Sequence, residues 1–262
     1  MAEPPLVQAM ALYKAGRYAE AEAEARSVAA ARSGSRDDTY GPLALGLAAL
    51  AAGAQGRHAD AVSTYDALVP VFRGVFGTEH PQTLKLRSDR AQVLSVLGRH
   101  GECEAECAAV AQLAARGTGP DMQFIAAAAW NGRIYALSEL GRHTEAETLA
   151  RQALAAHREP DSFWLVLCLG LARSLSGQGR HAEALAEAER ADVLRGSLPP
   201  EHCRAETGAV ELAAATALLG LGRAPEAQLR ATAAYEACLA VFGPNHYRTG
   251  RSLALLDRIT GS

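Results

Sequence analysis

The sequence lacks any run of apolar residues long enough to cross a bilayer, and its beginning does not resemble a secretory signal. A membrane-spanning helix needs about 20 consecutive apolar residues, and no stretch of the 262 residues comes near that length without charges. The first residues, Met1 to Pro5, contain no basic segment followed by an apolar core. We therefore expect a cytoplasmic protein without a membrane partner.

Clusters of basic residues are also missing. The net charge is −3, and the 26 lysines and arginines are scattered among 29 acidic residues. Proteins that bind nucleic acids usually concentrate their basic residues on one face or along one helix. The sequence therefore predicts no direct contact with nucleic acid.

Cysteine is scarce, and the motifs of common catalytic and metal sites are absent. Five widely spaced cysteines are a poor disulfide framework, and reduced thiols fit a cytoplasmic protein. His100, Cys103 and Cys107 fall on one helix stripe, but the cysteines replace residues of a repeated core pattern, so we interpret them as packing residues rather than zinc ligands. Glycine-rich phosphate loops, His-x-x-x-His pairs and nucleophile elbows are not found. We expect no catalytic activity, no cofactor and no bound metal.

What the sequence does contain is a hexapeptide pattern, Gly-Arg-x-x-acid-small, in six copies. Each copy lies between two alanine- and leucine-rich stretches of helical length, where glycine permits the positive φ of a helix-ending turn. The pattern predicts helical hairpins, in which an A helix ends at the glycine and a B helix begins about two residues later. The copies recur roughly every 40 residues, at Gly16, Gly56, Gly98, Gly141, Gly179 and Gly222.

Small residues recur at fixed distances from these glycines, as the close approach of two helices requires. Seven residues before the glycine stand Ala9, Ala49, Ala91, Ile134, Ala172 and Ala215. Five residues after it stand Ala21, Ala61, Cys103, Ala146, Ala184 and Ala227. We expect the two columns to face each other within each hairpin. Between hairpins, Phe76–Thr83 and Phe242–Thr249 are near copies of one joint, whose histidines should bond to nearby backbone groups.

These columns resemble the tetratricopeptide repeat, and the joint and the period of about 42 residues resemble its kinesin-light-chain-like subgroup. The resemblance implies an all-α, right-handed superhelical solenoid of about six helix-turn-helix hairpins plus a C-terminal capping helix, with residues 1–262 as one domain. Abundant alanine, arginine and glycine point to a bacterial origin. The implied repeats are 5–36, 39–76, 80–117, 121–158, 161–196 and 201–241, followed by a capping helix at 245–259.

The resemblance also implies that the A helices line a concave groove. The groove positions of the middle repeats are polar, which suits recognition of an extended peptide or a helix, although solvated surface residues would look the same. Lys85 lies near this face, but the lysine and asparagine set with which some family members clamp a C-terminal carboxylate is not matched. The predicted partner-binding residues are Lys85, Ser88, Asp89, Gln92, Asn131, Tyr135 and Arg173.

Several arginines and one tryptophan are candidate ligand contacts. Guanidinium groups match carboxylate or phosphate oxygens bidentately. Together with Arg173, the arginines at 87, 90 and 133 could therefore form an anion-binding strip. Pairing with acids of the same chain, such as Asp89 and Glu139, is equally supported. Trp130 is not required by the repeat and is either a binding anchor or a packing residue. The candidate anion or ligand contacts are Arg87, Arg90, Arg133 and Trp130.

The sequence favours a non-catalytic adaptor, scaffold or regulatory protein that holds a peptide or helix of a partner protein in the groove. A second hypothesis is a sensor of a small molecule or signalling peptide, based on the unusual arginines beside Tyr135 and Trp130. A third is self-association into a homo-oligomer through the alanine- and leucine-rich terminal helices. These roles can coexist in one protein.

Overall fold

A computed structural model describes residues 6–32, 38–157 and 159–261. In these ranges the chain is helical without any strand, and no helix combines the length and the apolar composition needed to cross a membrane. The predicted repeat limits 5, 36 and 158 fall outside the described residues. The α-helices are α1 (Val7–Lys14), α2 (Tyr18–Ala31), α3 (Tyr40–Ala54), α4 (His58–Val75), α5 (Pro81–Val96), α6 (His100–Ala114), α7 (Pro120–Glu139), α8 (His143–Ala156), α9 (Ser162–Gly177), α10 (His181–Ser197), α11 (Pro200–Cys203), α12 (Ala209–Gly220), α13 (Ala224–Phe242) and α14 (Tyr247–Thr260).

The helices form two compact units, which we call unit 1 (Met1–Ala126) and unit 2 (Ala127–Ser262). In unit 1, helices α1 to α6 pack each against the next one along the chain. In unit 2, the helices from α8 to α14 pack in the same order, with α10 against α12, and α9 also contacts α12. The interpretation of 1–262 as a single domain stays a prediction.

The hexapeptide builds the same turn in all six hairpins. Its glycine has a φ between 75° and 83°, a left-handed conformation that side chains disfavour. The N–H of the following arginine donates to the carbonyl of the residue five positions earlier, at 2.9 to 3.1 Å. This bond is the defining one of the Schellman motif, which satisfies a carbonyl that the helix end leaves open. Each B helix begins two residues after the glycine, as the pattern predicts.

The arginine and the acid of the hexapeptide also have a structural role. In every copy the arginine precedes the B helix and pairs with the acid three residues later, which lies in the first turn. An acid in the first turn also faces the positive end of the helix dipole. The pairs are Arg17–Glu20, Arg57–Asp60, Arg99–Glu102, Arg142–Glu145, Arg180–Glu183 and Arg223–Glu226.

The two small-residue columns are fully buried, since each of their twelve members is at most 1% exposed. Ile134 packs with Ala146 in one core cluster, and Ala215 packs with Ala227 in another. The A-helix and B-helix members of the columns therefore share a core cluster in these two hairpins, and the facing of the columns stays a prediction. Small side chains let the A and B helices approach closely, and neighbouring leucines fill the remaining volume.

The two joints have the same local geometry. Nδ1 of His80 accepts a hydrogen bond from the N–H of Gln82 at 3.2 Å, and Nδ1 of His246 accepts one from Arg248 at 3.3 Å. Each imidazole also stacks on the phenylalanine four residues earlier. The predicted bonding of these histidines to backbone groups is confirmed, and it caps α5 and α14.

The A helix of the sixth hairpin is interrupted. The short α11 is followed by a 3-10 turn at Arg204–Glu206, and α12 begins only after Gly208, which has a φ of 73°. A Cβ on Gly208 would lie 2.5 Å from Sγ of Cys238 and 2.9 Å from the carbonyl oxygen of Ala234 in α13. The break therefore lets the chain pass close to α13, where only glycine fits.

A partly buried carboxylate joins the fourth and fifth hairpins. Glu147 of α8 accepts hydrogen bonds from Gln178 and Arg180 at 2.8 Å, and Arg151 pairs with it at 2.9 Å. The Gln178 amide and the two guanidinium groups lower the pKa of Glu147 to about 2. The same arrangement recurs in unit 1, where Glu22 binds Gln55, Arg57 and Arg26.

The variant Glu147→Gln is expected to lose about 1 to 2 kcal/mol of unfolding free energy at pH 7, because charge-assisted hydrogen bonds are lost while the arginines stay partly solvated. The folded pKa of Glu147 lies below its ordinary value of 4.5, so the carboxylate stabilises the fold above about pH 4.5 and loses this effect towards pH 2. Urea unfolding should show a smaller wild-type advantage at pH 3 than at pH 7.

The exposed Glu189 of α10 offers a matched control, because it makes no hydrogen bond or ion pair with a described residue. Glu189→Gln should change stability by less than about 0.5 kcal/mol at either pH. An equal loss for both variants, or a Glu147→Gln effect that is the same at both pH values, would contradict the assignment.

Candidate functional site

The A helices of unit 2 present Asn131 and Tyr135 of α7 and Arg173 of α9 at predicted groove positions, and we call this surface the A-helix face of unit 2. On this face the side chains of neighbouring repeats are in contact. Tyr135 of α7 and Arg173 of α9 both stand six residues before a hexapeptide glycine. The Arg173 Cζ lies 4.3 Å from the centroid of the Tyr135 ring, a cation–π contact. The predicted groove positions are thus side by side for this pair.

The C-terminal helix α14 contributes a third side chain to this face. Arg251 donates to the hydroxyl of Tyr135, and its Cζ lies 5.5 Å from the centroid of the same ring. It also pairs with Glu139 at 3.2 Å. We call Tyr135, Glu139, Arg173 and Arg251 the Tyr135 cluster.

Arg173 is the unusual member of the Tyr135 cluster. Its side chain is half-buried, yet it makes no hydrogen bond and no ion pair with any described residue. Burial lowers the pKa of Arg173, and the like charge of Arg251 lowers it further, because both disfavour the guanidinium cation. Asn131, one turn earlier on α7 than Tyr135, is also half-buried without a hydrogen-bond partner among the described residues. Both side chains have free donors.

A second arginine of α14 has a structural role beside this cluster. Arg248 is 12% exposed, pairs with Glu206 at 3.1 Å and donates to the carbonyls of Ala205 and Thr207. It therefore ties α14 to the interrupted helix of the sixth hairpin. Burial raises the pKa of Glu206, and the positive charges of Arg248 and Arg173 partly offset this.

In unit 1, two of the four predicted groove residues pair with each other. Lys85 pairs with Asp89 at 2.6 Å, and burial raises the pKa of Asp89 despite that lysine. Ser88 is buried, whereas Gln92 is exposed and makes no hydrogen bond with a described residue. Among the predicted groove residues of unit 1, Gln92 is therefore available to form hydrogen bonds with a partner.

Two of the candidate anion contacts are occupied by acids of the same chain. Arg87 is 5% exposed and binds both carboxylate oxygens of Glu106, at 2.7 and 3.2 Å. Arg90 pairs with Asp66 at 2.6 Å. The acids weighed from the sequence, Asp89 and Glu139, pair instead with Lys85 and Arg251. An anion would have to displace Glu106 or Asp66 to reach these arginines.

The other two candidate contacts lie on α7. Trp130 packs against the core cluster that contains Ile134 and Leu137, so it has a packing role. Arg133 lines a cavity of about 270 Å³ between α7 and α8. The other residues that line it are Leu137, Thr144, Glu145, Thr148, Leu149 and Gln152.

The five cysteines are buried and reduced. Cys103 and Cys107 stand with their sulfur atoms 4.0 Å apart inside the core face of α6. Across the described part of the chain, no group of three histidine, cysteine or acidic side chains is arranged to hold a metal ion. The cysteines are packing residues in this structure.

Comparison with known proteins identifies the repeat. Family profiles described as tetratricopeptide repeat match residues 6–27, 135–159 and 165–190. Two structures of a putative kinesin light chain with TPR-like repeats from Podosopora anserina are similar to the chain at 20% identity. The first has a TM-score of 0.62, and the match covers 74% of this chain and 93% of the other. The second has a TM-score of 0.60, and the match covers 75% of this chain and 98% of the other. No curated protein matches the chain.

A tetratricopeptide repeat protein from Parabacteroides merdae covers 97% of this chain and 96% of its own, at 14% identity and a TM-score of 0.49. The chain contains tetratricopeptide repeats at the stretches that the profiles match, and the predicted all-α solenoid fold, which the kinesin light chain structures share, is confirmed. Tetratricopeptide repeats form a protein–protein interaction module.

Proposed function

We propose that the chain is a non-catalytic adaptor or regulatory module that binds a peptide or helix of a partner protein on the A-helix face of unit 2. The observation that carries this proposal is the free hydrogen-bonding capacity of Arg173 and Asn131 on that face. These donors are only half-buried and remain open to a ligand, and a polar segment laid across the face would satisfy them.

The turns and B helices provide the contrast. The arginine–acid pairs of the hexapeptide, such as Arg223–Glu226, and the bonds around Glu147 engage these groups within the chain. Such groups are used for folding, whereas the donors of Arg173 and Asn131 are available to a ligand. Tyr135, an amphipathic ring held by two arginines, adds the kind of anchor that dominates binding energy in many interfaces.

The test is selection from a display library of random 12-residue peptides, which makes no assumption about ligand charge. Peptides that bind the full chain should bind Asn131→Ala/Arg173→Ala at least tenfold more weakly, because truncation of a central contact commonly costs more than about 1 kcal/mol. Arg204→Ala is the control, since Arg204 is exposed and its side chain makes no bond with a described residue. If no peptide is enriched, or if the double variant binds as well as wild type, the proposal fails.

A second candidate function, sensing of a small molecule, is supported by the cavity beside Arg133. Its volume of about 270 Å³ is slightly below the range of about 300 to 1,000 Å³ typical of ligand pockets. Size therefore favours the peptide proposal. A metabolite that raises the melting temperature of the wild type, but not of Arg133→Ala, would reverse this preference.

A further inference from the structure

We propose that the segment bound at the A-helix face of unit 2 is acidic, and that one of its side-chain carboxylates binds Arg173 and Arg251 beside the Tyr135 ring. This inference rests on the proposed function and names the chemistry of its partner. It begins from the charges of three arginines and two acids and from the single ring on which two of the arginines meet.

The geometry brings two guanidinium groups to one ring. The Cζ atoms of Arg173 and Arg251 lie 4.3 and 5.5 Å from the centroid of Tyr135. Stacking on a ring leaves the edge of a guanidinium group open, and its N–H donors point along that edge. A carboxylate accepts two such donors in parallel, so it fits the edge of Arg173.

The charges on this face do not cancel. Arg248 is matched by Glu206 at 3.1 Å, and Arg251 is matched by Glu139 at 3.2 Å. Arg173 has no carboxylate within ion-pair distance among the described residues, so one positive charge remains over. Burial and the neighbouring Arg251 both disfavour that charge, and an incoming carboxylate would stabilise it.

Glu139 is a competitor already present in the protein. Its carboxylate is 27% exposed and occupies Arg251, which is 39% exposed. Ion pairs with this much solvent access are weak, so a carboxylate from a partner can displace Glu139. Removal of the Glu139 charge should therefore strengthen binding of an acidic segment, whereas removal of the Arg173 charge should weaken it.

The experiment measures binding of labelled peptides to the full chain by fluorescence anisotropy at low salt. The probes are hexaglutamate, hexaglutamine and a hexaglutamine peptide with one central phosphoserine, all blocked at both ends. Hexaglutamate should bind at least tenfold more tightly than hexaglutamine. Arg173→Gln should lose about tenfold of that affinity, and Glu139→Gln should gain about threefold, since one weak internal pair is removed.

Arg204→Gln is the matched control, because it removes the same charge from an exposed arginine of unit 2. Equal losses for Arg173→Gln and Arg204→Gln would show diffuse attraction and overturn the inference. Preference for the phosphoserine peptide alone, or no hexaglutamate binding, would also overturn it. Equal binding of hexaglutamate and hexaglutamine at a site sensitive to Arg173→Gln would overturn the acidic partner and leave the proposed function intact. If Arg173→Gln folds poorly, binding of hexaglutamate to Glu139→Gln is the deciding measurement. The expected gain in affinity supports the inference, and no gain overturns it.

Discussion

Replacement of Gly208 by alanine is expected to destabilise the protein by about 2 to 5 kcal/mol. The residue has a φ of 73°, a conformation that costs a residue with a Cβ about 1 to 2 kcal/mol. The added Cβ would also lie 2.5 Å from Sγ of Cys238 and 2.9 Å from the Ala234 carbonyl oxygen. Because one of these atoms belongs to the backbone, α13 would have to move, and overpacking of this kind adds about 1 to 3 kcal/mol.

Urea unfolding followed by circular dichroism measures this loss. Gly196→Ala is the control, because Gly196 lies inside α10 and a Cβ there meets nothing within 4 Å. Alanine is the better helix former, so this variant should be stabilised by up to about 1 kcal/mol. A Gly208→Ala protein as stable as wild type would show that the close approach to α13 is not present.

Arg248→Ala is the second variant with a large expected effect, a loss of about 3 to 5 kcal/mol. Arg248 is 12% exposed and binds Glu206 and the carbonyls of Ala205 and Thr207. Its removal leaves the Glu206 carboxylate without its partner in a mostly buried place, which costs more than the pair itself contributes. Since these bonds join α14 to the sixth hairpin, α14 should detach first.

Hydrogen exchange in α14 provides the readout. Amides of Tyr247–Thr260 should exchange much faster in Arg248→Ala, while those of α8 keep their protection. Arg204→Ala should behave like wild type, and Glu206→Gln added to Arg248→Ala should recover part of the lost stability because the unpaired charge is gone. Unchanged protection of α14 in the single variant would contradict the role given to Arg248.

Features that repeat along the chain were predictable from the sequence. The left-handed glycines, the start of each B helix and the two buried columns depend on residues close in sequence, and six copies make each pattern visible. The bonds of Glu147 were also visible in principle, since Gln178 and Arg180 recur as Gln55 and Arg57 relative to Glu22. Only the second and fifth copies of the hexapeptide have glutamine directly before their glycine, and in each the preceding copy has glutamate six residues after its own glycine. This shared spacing predicts the bonds.

Features that occur once were not predictable. The contact of Arg251 with Tyr135 joins residues 116 positions apart, and α14 was interpreted only as a cap. The interruption of the sixth A helix depends on Gly208, which is one glycine among 24 and is distinguished only by its contact with α13. Arg173 was a predicted groove residue, but its lack of a carboxylate partner within the described part of the chain depends on the placement of Glu139 and Glu206, which only the fold determines.

The location of the bound peptide is the most direct test of the account. A display-selected peptide should be titrated into isotope-labelled protein while the arginine Nε–Hε NMR signals are followed. We expect the largest shifts at Arg173 and Arg251, with Arg190 and Arg230 of the B helices unchanged. Shifts confined to Arg190 and Arg230 would place the partner on the opposite helices and contradict the assignment of the A-helix face.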